Sequence, residues 1–521
     1  MTAIPDPLAP SQTASPATPS GTVPGFPGTL TRREAATLLA AGFGLAALPA
    51  PLKAASPRFG TPQPFSWHGL VQQARRLAAA PYAAPEPPPH LAPDFDAFGK
   101  LTYGPAEALD GSIRLFPAAR RIAEHAVAIH LVADGRARRL LDTTGLFTSG
   151  KQADPAGLRV MDEGLASDWL AYLGASYFRT SGSLGQYGLS ARGIAVGTGT
   201  DEPEEFPAFT AFWLEPLGPG HIRIHALLDG PSLTGAYAFD CRKSAAGVQQ
   251  DVQASLFFRR DIARLGLAPA TSMFWYDQHN RRADWRPEIH DSDGLAIWSG
   301  TGERIWRPLE NPSAARITTF QADSPKGFGL MQRDEVFDHY QDDGAFYDRR
   351  PSLWATPSGD WGPGSVMLYE MPTDGETQDN IVAFWTSDAP ARRGGQRDFA
   401  YRLNWTSRDL SEGANARCVD MFEGPAGRPG EPPVPGAHKY VFDFAGPVLA
   451  GLGRKAGIEA ATDLPAEAVL ASAAYPVAGM DARWRVMLDV RTTTAPRPEF
   501  RLYLKRGDSA LSETVIKMIK P

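Results

Sequence analysis

Apolar and polar residues alternate with a period of two through most of the chain between Ser112 and Asp388. This alternation is typical of β-strands that bury one face. In "HIRIHALL" (221–228), the isoleucines and Ala226 fall on one side of a strand, and the histidines and Arg223 fall on the other. Similar runs are "TGAYAFDCR", "DVQASLFF", "ARITTFQAD", "SVMLYEMP" and "IVAFWTSD". Because strands do not alternate regularly with helices, the pattern predicts an all-β fold with a large β-sandwich rather than a parallel α/β sheet.

A few stretches have helical rather than strand character. The spacing of Trp67, Leu70, Ala74 and Leu77 predicts a helix within residues 66–82. Shorter helical interruptions are expected in "SDWLAYLGASYF" (167–178) and "DEVFDHYQDDGAFYDRR" (334–350).

A polar, glycine-containing break, "SDAPARRGGQRD" (387–398), is the candidate linker between two domains. A second, smaller set of strands follows it, and one of these places Trp484, Val486, Leu488 and Val490 on a single face. We therefore predict an N-terminal β-sandwich over residues 60–388 and an immunoglobulin-like β-sandwich over residues 398–521.

The first 55 residues have the composition of a tail and an export signal. Residues 1–31 are rich in Pro, Ser, Thr and Ala and carry a single charge, which predicts disorder. Arg32 and Arg33 then precede a short Ala/Gly-rich apolar stretch, with small residues suited to cleavage near Ala54 or Ala55. This layout predicts a twin-arginine signal peptide, a periplasmic mature protein and no membrane span in the mature form.

Several classes of function are excluded by what the chain lacks. The formal net charge is −6 and no run of Lys or Arg occurs, so nucleic acid is not an expected partner. The sequence has no GxSxG elbow, no GxxxxGK loop and no GxGxxG before a helix. Cys241 and Cys418 are the two cysteines, and whether they pair is left open. No zinc spacing is present, so we expect neither a metal nor a cofactor.

Carboxylates are concentrated among tryptophans between residues 275 and 385, which hold seven of the twelve tryptophans. Aromatic rings stack on the C–H faces of sugars, and carboxylates and amides bind sugar hydroxyls. Cleavage of a glycosidic bond needs two carboxyl groups in different protonation states. On chemistry alone the pair is drawn from a larger set: Asp291, Asp293, Asp342, Asp343, Glu370, Glu376 and Asp379. For "HDSDGL" (290–295) the spacing excludes a calcium loop, because Leu295 occupies a ligand position, and leaves a solvated turn or half of an acid/base pair.

Ten strings in the mature chain resemble one known family. They are "LGASYFR", "YGLSARGIAV", "FPAFTAFWLE", "LLDGPSLTGAYAF", "RPEIHDSDGL", "IWRPLENP", "KGFGLMQRDEVFDHYQD", "YDRRPSLW", "GDWGPGSVMLYEMPT" and "ETQDNIVAFW". They are similar to the glucan biosynthesis proteins D and G, periplasmic proteins that take part in making osmoregulated periplasmic glucans. The twin-arginine pattern favours the D branch.

The resemblance implies a galactose-mutarotase-like N-terminal β-sandwich and a C-terminal immunoglobulin-like domain. It also implies an inverting, endo-acting glycoside hydrolase for β-1,2-glucan. Carried over residue by residue, the general base is Asp291 of "DSDGL" and the general acid is Asp379 of "ETQDN". The resemblance also implies that the base reaches the attacking water through a relay of water and a sugar hydroxyl.

Other residues in the matched strings are candidate substrate contacts: Tyr347, Arg350, Trp354 and Glu376, with Asp293 and His290 as residues that contact the sugar or orient Asp291. The resemblance also implies a homodimer in which the Pro/Gly-rich loop 423–440 reaches the cleft of the neighbouring subunit. Two alternatives stay open. One is a transglycosylase that cyclises β-1,2-glucan through an α-1,6 link, and the other is a non-catalytic glucan-binding protein.

Overall fold

The computed structural model describes residues 58–93, 95–102, 106–282, 284–410, 413–428, 430–494 and 498–520. The predicted tail and signal peptide lie outside these residues. Within the described part the chain is built almost entirely from β-strands, which confirms the all-β prediction.

Helices are few and short in the described residues. They are α1 (Trp67–Ala78), α2 (Phe95–Thr102) and α3 (Phe337–Tyr340), with 3₁₀ turns at Tyr347–Arg349, Pro447–Leu449, Ala466–Ala468 and Thr492–Thr494.

The strands of the first part of the chain are, in order, β1 (Gln63–Pro64), β2 (Ile113–Pro117), β3 (Ala128–Ala133), β4 (Arg136–Arg139), β5 (Pro155–Met161), β6 (Asp168–Leu173), β7 (Tyr177–Thr180), β8 (Ser190–Arg192), β9 (Ala195–Val196), β10 (Ala208–Gly218), β11 (His221–Asp229), β12 (Leu233–Ser244), β13 (Gly247–Phe258), β14 (Leu265–Ser272), β15 (Phe274–Tyr276), β16 (Ile289–His290), β17 (Gly294–Trp298), β18 (Arg304–Pro308), β19 (Arg316–Gln321), β20 (Gly327–Met331), β21 (Ser352–Ser358), β22 (Gly364–Glu370), β23 (Ile381–Ser387) and β24 (Gln396–Thr406).

The strands that follow are β25 (Arg417–Pro425), β26 (Ala437–Ala445), β27 (Ile458–Thr462), β28 (Val469–Pro476), β29 (Arg483–Arg491), β30 (Glu499–Arg506), β31 (Ser509–Ala510) and β32 (Thr514–Met518).

Two sheets form the body of the molecule. The large sheet has the order β1-β4-β3-β10-β11-β12-β13-β24-β21-β20-β17-β18-β32-β30-β27, with β31 beside β30. The small sheet has the order β19-β22-β23-β14-β8-β7-β6-β5-β2, with β9 beside β14. Aromatic side chains of the two sheets pack edge to face in the layer between them, since Tyr172 of β6 lies 5.7 Å from Phe212 and 5.4 Å from Phe239, measured between ring centroids. This apolar layer confirms the predicted sandwich.

The large sheet is wider than the small one, and its overhanging strands are covered by the C-terminal part of the chain. Strand β21 illustrates this, because Leu353 and Ala355 point into the layer between the two sheets and Trp354 points to the opposite face. There it packs with residues of a further sheet, β25-β26-β29-β28, including the fully buried Trp484 and Phe442. The predicted apolar face Trp484, Val486, Leu488 and Val490 is buried as expected.

Three further sequence expectations are decided by the structure. The helix predicted within 66–82 is α1, and its Leu70 and Ala74 are buried against the outer face of the large sheet. The helical interruption predicted at 167–178 is wrong: Asp168–Leu173 and the start of Tyr177–Thr180 are strands of the small sheet, because Trp169, Leu170 and Tyr172 are all needed in its core. The interruption predicted at 334–350 is confirmed as α3 and a 3₁₀ turn.

The linker predicted at 387–398 joins β23 to β24. Strand β24 pairs with β13 and β21 inside the large sheet. Because β24 belongs to the large sheet, a boundary between the two predicted domains would fall after its last residue, Thr406, rather than at 387–398. The division into two domains stays a proposal. Cys241 and Cys418 are both free and buried, in two different apolar cores. No described helix has both the length and the apolar character needed to cross a bilayer.

A buried ion pair joins the two sheets. Arg307 of β18 lies 3.2 Å from Glu370 of β22, and neither side chain is exposed to solvent. Arg316 of β19 also donates to Glu370, at 2.7 Å. Glu370 was one of the acids that the sequence left open for catalysis, but its carboxylate is enclosed and saturated by two arginines.

Replacing Glu370 by Gln should lower the free energy of unfolding by about 3–5 kcal/mol, because Arg307 would keep a buried charge that has lost its partner. Urea unfolding of this variant is compared with that of Glu459→Gln, whose side chain is 72% exposed and lies 3.9 Å from Lys505. A loss no larger than that of the control would show that the Arg307–Glu370 pair does not hold the sheets together.

Candidate active site

The first candidate carboxylate, Asp291, lies directly after a two-stranded ribbon formed by β15 and β16. Its backbone N–H donates to the carbonyl of Met273 at 2.8 Å, so the ribbon continues by one more bond. The residue is buried, with 5% of its surface exposed. Its carboxylate accepts a hydrogen bond from Nη1 of Arg350.

Arg350 is itself held in place by the turn that contains it. Its Nε and Nη2 donate to the carbonyl of Ala345 at 3.4 and 3.3 Å, and its guanidinium lies 3.9 Å from the centroid of the Tyr347 ring. A guanidinium within hydrogen-bonding distance stabilises the ionised form of a carboxylate. The surroundings therefore favour a charged Asp291.

The second candidate, Asp379, is exposed and stands at the end of the loop that precedes β23. The next residue, Asn380, is completely buried. Its side-chain amide donates to the carbonyls of Phe274 and Met371 at 3.0 and 2.9 Å, and its Oδ1 accepts from the N–H of Phe274 at 2.8 Å. Asn380 thus fixes the end of the acid-bearing loop to the ribbon strand β15.

These bonds bring the two motifs side by side. Asp291 binds the backbone of Met273, and Asn380, the neighbour of Asp379, binds the backbone of Phe274. The two carboxylate-bearing segments therefore flank one dipeptide. The charge of Asp379 acts on Tyr177: burial raises the pKa of this phenol to about 12, Asp379 adds to the rise, and Arg192 opposes it.

Glu376 and Tyr347, both expected to contact substrate, contact each other. The Tyr347 hydroxyl donates to Oε2 of Glu376 at 2.5 Å. Tyr347 is 2% exposed, so most of its ring is packed in the protein, whereas 35% of the Glu376 side chain is exposed. Glu376 also accepts from Arg286 Nη1 at 2.8 Å and Nη2 at 3.3 Å.

His290 and Asp293 form a buried charged group behind Asp291. The ring nitrogens of His290 lie 3.2 Å from Glu288 Oε2 and 3.2 Å from Gln332 Oε1. Burial alone would lower the pKa of His290, but the hydrogen bond to Glu288 and the charge of Asp293 raise it to about 9. Burial raises the pKa of Asp293 to about 6, with the Asp334 carboxylate adding to the rise and His290 opposing it. These residues support the turn that carries Asp291.

One set of described side chains could hold a cation. Glu288, Asp334 and His339 each offer one ligand atom, and these atoms lie within 4.8 Å of one another. Nδ1 of His339 is already 2.5 Å from Asp334. Burial would lower the pKa of His339, but the hydrogen bond to Asp334 and its charge outweigh this and raise the pKa above its ordinary value, so a proton on the imidazole can balance the acids.

Trp354, which was predicted to contact the substrate, does not lie with the residues around Asp291 and Glu376. Trp354 is 3% exposed and packs under the C-terminal sheet, as described above. The exposed tryptophan nearest in sequence to the motif is Trp285, which is 65% exposed and whose ring lies 5.9 Å from the Arg286 guanidinium.

Sequence reasoning missed Arg286, Asn380 and Tyr177 as parts of the site. Arg286 and Asn380 stand inside the two quoted motifs, and a lone arginine within a run of acids was a usable signal for the first. Tyr177 lies about two hundred residues from Asp379 along the chain, and only the pairing of the small sheet brings its strand near.

The raised pKa of His290 predicts a pH-dependent stability. A folded-state pKa of about 9, above the ordinary 6.5, means that the folded protein holds the proton more tightly. The contribution, about 3 kcal/mol at most, is complete below pH ~6.5 and is lost as the pH rises toward 9 and beyond. Urea unfolding between pH 6 and 9.5 should show this loss in the wild type and not in His290→Gln, with the exposed His68→Gln as control. Equal pH profiles of wild type and His290→Gln would contradict the assignment.

The chain is similar to several known proteins. The family model described as "Periplasmic glucan biosynthesis protein, MdoG" matches residues 65–518. Glucans biosynthesis protein D 1 of Ralstonia nicotianae is 41% identical, over 93% of this chain and 97% of its own. Glucans biosynthesis protein D 2 of the same organism is 38% identical, over 94% and 98%. A probable glucans biosynthesis protein D of Shewanella oneidensis is 44% identical, over 74% and 75%.

Among solved structures, a galactose mutarotase related enzyme from Lactobacillus acidophilus aligns with 48% of this chain and 95% of its own, at 8% identity and a TM-score of 0.22, which is too low to bear on fold or function. The family match covers most of the chain, and the relatives match over most of their length. The chain therefore belongs to the periplasmic glucan biosynthesis family MdoG.

Proposed function

We propose that this chain is a periplasmic enzyme of glucan biosynthesis that cleaves β-1,2-glucan internally with inversion, using Asp379 as general acid and Asp291 as general base. The observation that carries the proposal is the anchoring of both carboxylate-bearing segments to the dipeptide Met273–Phe274. Acid/base cleavage of a glycosidic bond requires two carboxyl groups that flank the bond, and segments anchored to the same dipeptide can place them so.

The two carboxylates differ in their surroundings, and this difference supports different roles. Asp291 is buried and bound to Arg350, which favours the ionised form that a base needs. Asp379 is exposed, so its carboxyl group can approach the oxygen of a leaving sugar. Two groups with environments this different can hold different protonation states at one pH.

Aromatic and polar groups around the pair suit a sugar chain. Trp285 presents an exposed indole on which a pyranose ring can stack, and the exposed part of Glu376 can accept hydrogen bonds from sugar hydroxyls. Arg350 and Tyr347 were predicted as substrate contacts; since they bind Asp291 and Glu376, our proposal is that they also orient these groups, as Asp293 and His290 orient Asp291. Trp354, enclosed under the C-terminal sheet, supports the site through packing.

Export through the twin-arginine route is part of the same proposal. Its support is the paired Arg32-Arg33 before a short apolar stretch, together with the periplasmic description of the family. The substrate would then be made available on the same side of the inner membrane.

Replacing Asp379 by Asn should lower kcat on linear β-1,2-glucan by about 10²–10⁴-fold and leave glucan binding intact, because the amide cannot donate the proton. Asp291→Asn should act similarly. Asp374→Asn, an exposed acid of the same loop, is the matched control. Turnover is followed by reducing ends and product mass, and binding by calorimetry.

The products also separate the alternatives. Linear oligosaccharides with new reducing ends support hydrolysis, and products lighter by one water support the cyclising transglycosylase. Full activity of Asp379→Asn would contradict its role as the acid. Binding by the wild type without any change in the glucan would indicate a non-catalytic glucan-binding protein.

We also propose that two copies associate through the segment 423–440, as first expected from the family resemblance; its ends belong to β25 and β26, and only residues 426–436 connect the two strands. Apolar side chains exposed in and beside this loop support it: Phe422 is 42% and Val434 is 36% exposed. Light scattering should give twice the monomer mass for the wild type and a smaller mass for Val434→Asp. A monomeric wild type would refute the proposal, and Met480→Asp, an exposed apolar residue outside the loop, serves as the control.

A further inference from the structure

Arg286 makes the densest set of ion pairs at the candidate site. Its Nε and Nη2 donate to the two carboxylate oxygens of Asp284 at 3.0 and 3.1 Å. Its Nη1 donates to Asp342 Oδ2 at 2.8 Å, and Nη1 and Nη2 both donate to Glu376, at 2.8 and 3.3 Å. One guanidinium, 11% exposed, thus joins three carboxylates.

The three carboxylates need the positive charge of Arg286 to lie this close together. Three carboxylates around one guanidinium leave a surplus of negative charge, so the acids would repel one another without it. Burial would lower the pKa of Arg286, but the bonds to Asp284, Glu376 and Asp342 raise it above its ordinary value. The carboxylates therefore favour the charged form of Arg286.

The bond to Glu376 reaches the loop of Asp379. Thr373 holds one end of that loop, because its N–H donates to Asn311 Oδ1 at 2.9 Å, and Asn380 holds the other end. Glu376 lies between these anchors, three residues before Asp379, and the two-pronged bond to Arg286 fixes the middle of the loop.

Through Glu376, Arg286 is also connected to Asp291. Glu376 accepts from the Tyr347 hydroxyl, the Tyr347 ring lies under the Arg350 guanidinium, and Arg350 donates to Asp291. Arg286 is also five residues before Asp291 in the same segment. A continuous path of polar contacts therefore runs from the segment of one aspartate to the segment of the other.

We propose that Arg286 is a positioning residue that, through Glu376, aims the carboxyl group of Asp379 at the leaving oxygen. This inference rests on the proposed function. Arg286 binds the loop of the acid directly and reaches Asp291 only through Tyr347 and Arg350, so its removal should matter most where the leaving group needs a proton.

The test uses two substrates with different needs for acid catalysis. Linear β-1,2-glucan has a sugar alkoxide as leaving group and needs protonation, whereas the 2,4-dinitrophenyl glycoside of a β-1,2-linked glucose disaccharide has a leaving group that departs unprotonated. For Arg286→Gln, kcat on the glucan should fall about 100-fold, the loss expected for a misplaced catalytic group. On the aryl glycoside it should fall no more than about 3-fold, since general-acid help is not required there.

A double-mutant cycle checks that Arg286 acts through Glu376. The variant Arg286→Gln/Glu376→Gln should be no slower on the glucan than the slower single variant, because both changes break the same link. Arg286→Lys keeps the positive charge but lacks the two parallel N–H donors of the guanidinium, and it should be faster on the glucan than Arg286→Gln. Arg392→Gln, which removes an exposed ion pair with Asp261, is the matched control, and its kcat should be unchanged on both substrates.

Equal losses of kcat on the two substrates, or additive losses in the double variant, would overturn the inference while leaving the proposed function standing. Melting temperatures are measured for each variant, and if Arg286→Gln does not fold, the ratio of the two rates in Arg286→Lys decides in the same way. A wild type that cleaves neither substrate would overturn the proposed function and this inference with it.

Discussion

The width of the large sheet is the constraint on which the rest of the structure depends. A sheet whose strands are apolar on both faces must be covered on both faces, and the small sheet covers only part of one. Helix α1 covers part of the outer face, and the C-terminal sheet covers the strands β17, β18, β20 and β21. Trp306 and Trp354 fill this second contact, which explains why these two tryptophans of the carboxylate-rich region belong to a core, whereas Trp285 is exposed.

Charged groups accumulate where these layers end, and each must find a partner because desolvation of a lone charge is costly. Glu370 is neutralised between the sheets, whereas Glu288, His290 and Asp293 balance one another behind the ribbon of β15 and β16. The Arg286 group follows the same rule at the surface of the candidate site. The buried Glu370 pair and the Arg286 group at the site are therefore both carboxylates neutralised by arginine, and they differ mainly in how far solvent reaches them.

Strand positions were predictable from sequence because burial imposes a period of two, as in Trp484 to Val490. The strand at Asp168–Leu173 was not, since "DWLAYL" is apolar at nearly every position and such a run has no period that separates strand from helix. The motifs around Asp291 and Asp379 were recognisable, but the second is joined to the first by a contact between Asn380 and Phe274, which are 106 positions apart. The role of Trp354 could not be read locally, because the residues that share its core, such as Phe442 and Trp484, lie about ninety positions or more further along the chain.

Under the proposed mechanism, the burial of Asp291 has a consequence for how water is activated. One side of its carboxylate is bound by Arg350, and the residue is only 5% exposed, so little of it can touch a water held against the sugar. A proton would then reach Asp291 through an intervening water or hydroxyl, the relay that the family resemblance implies. Asp379, exposed at a loop end anchored by Asn380, needs no relay, because a general acid must contact the leaving oxygen itself. In the proposed mechanism, the different burial of the two aspartates would account for a direct acid and an indirect base within one site.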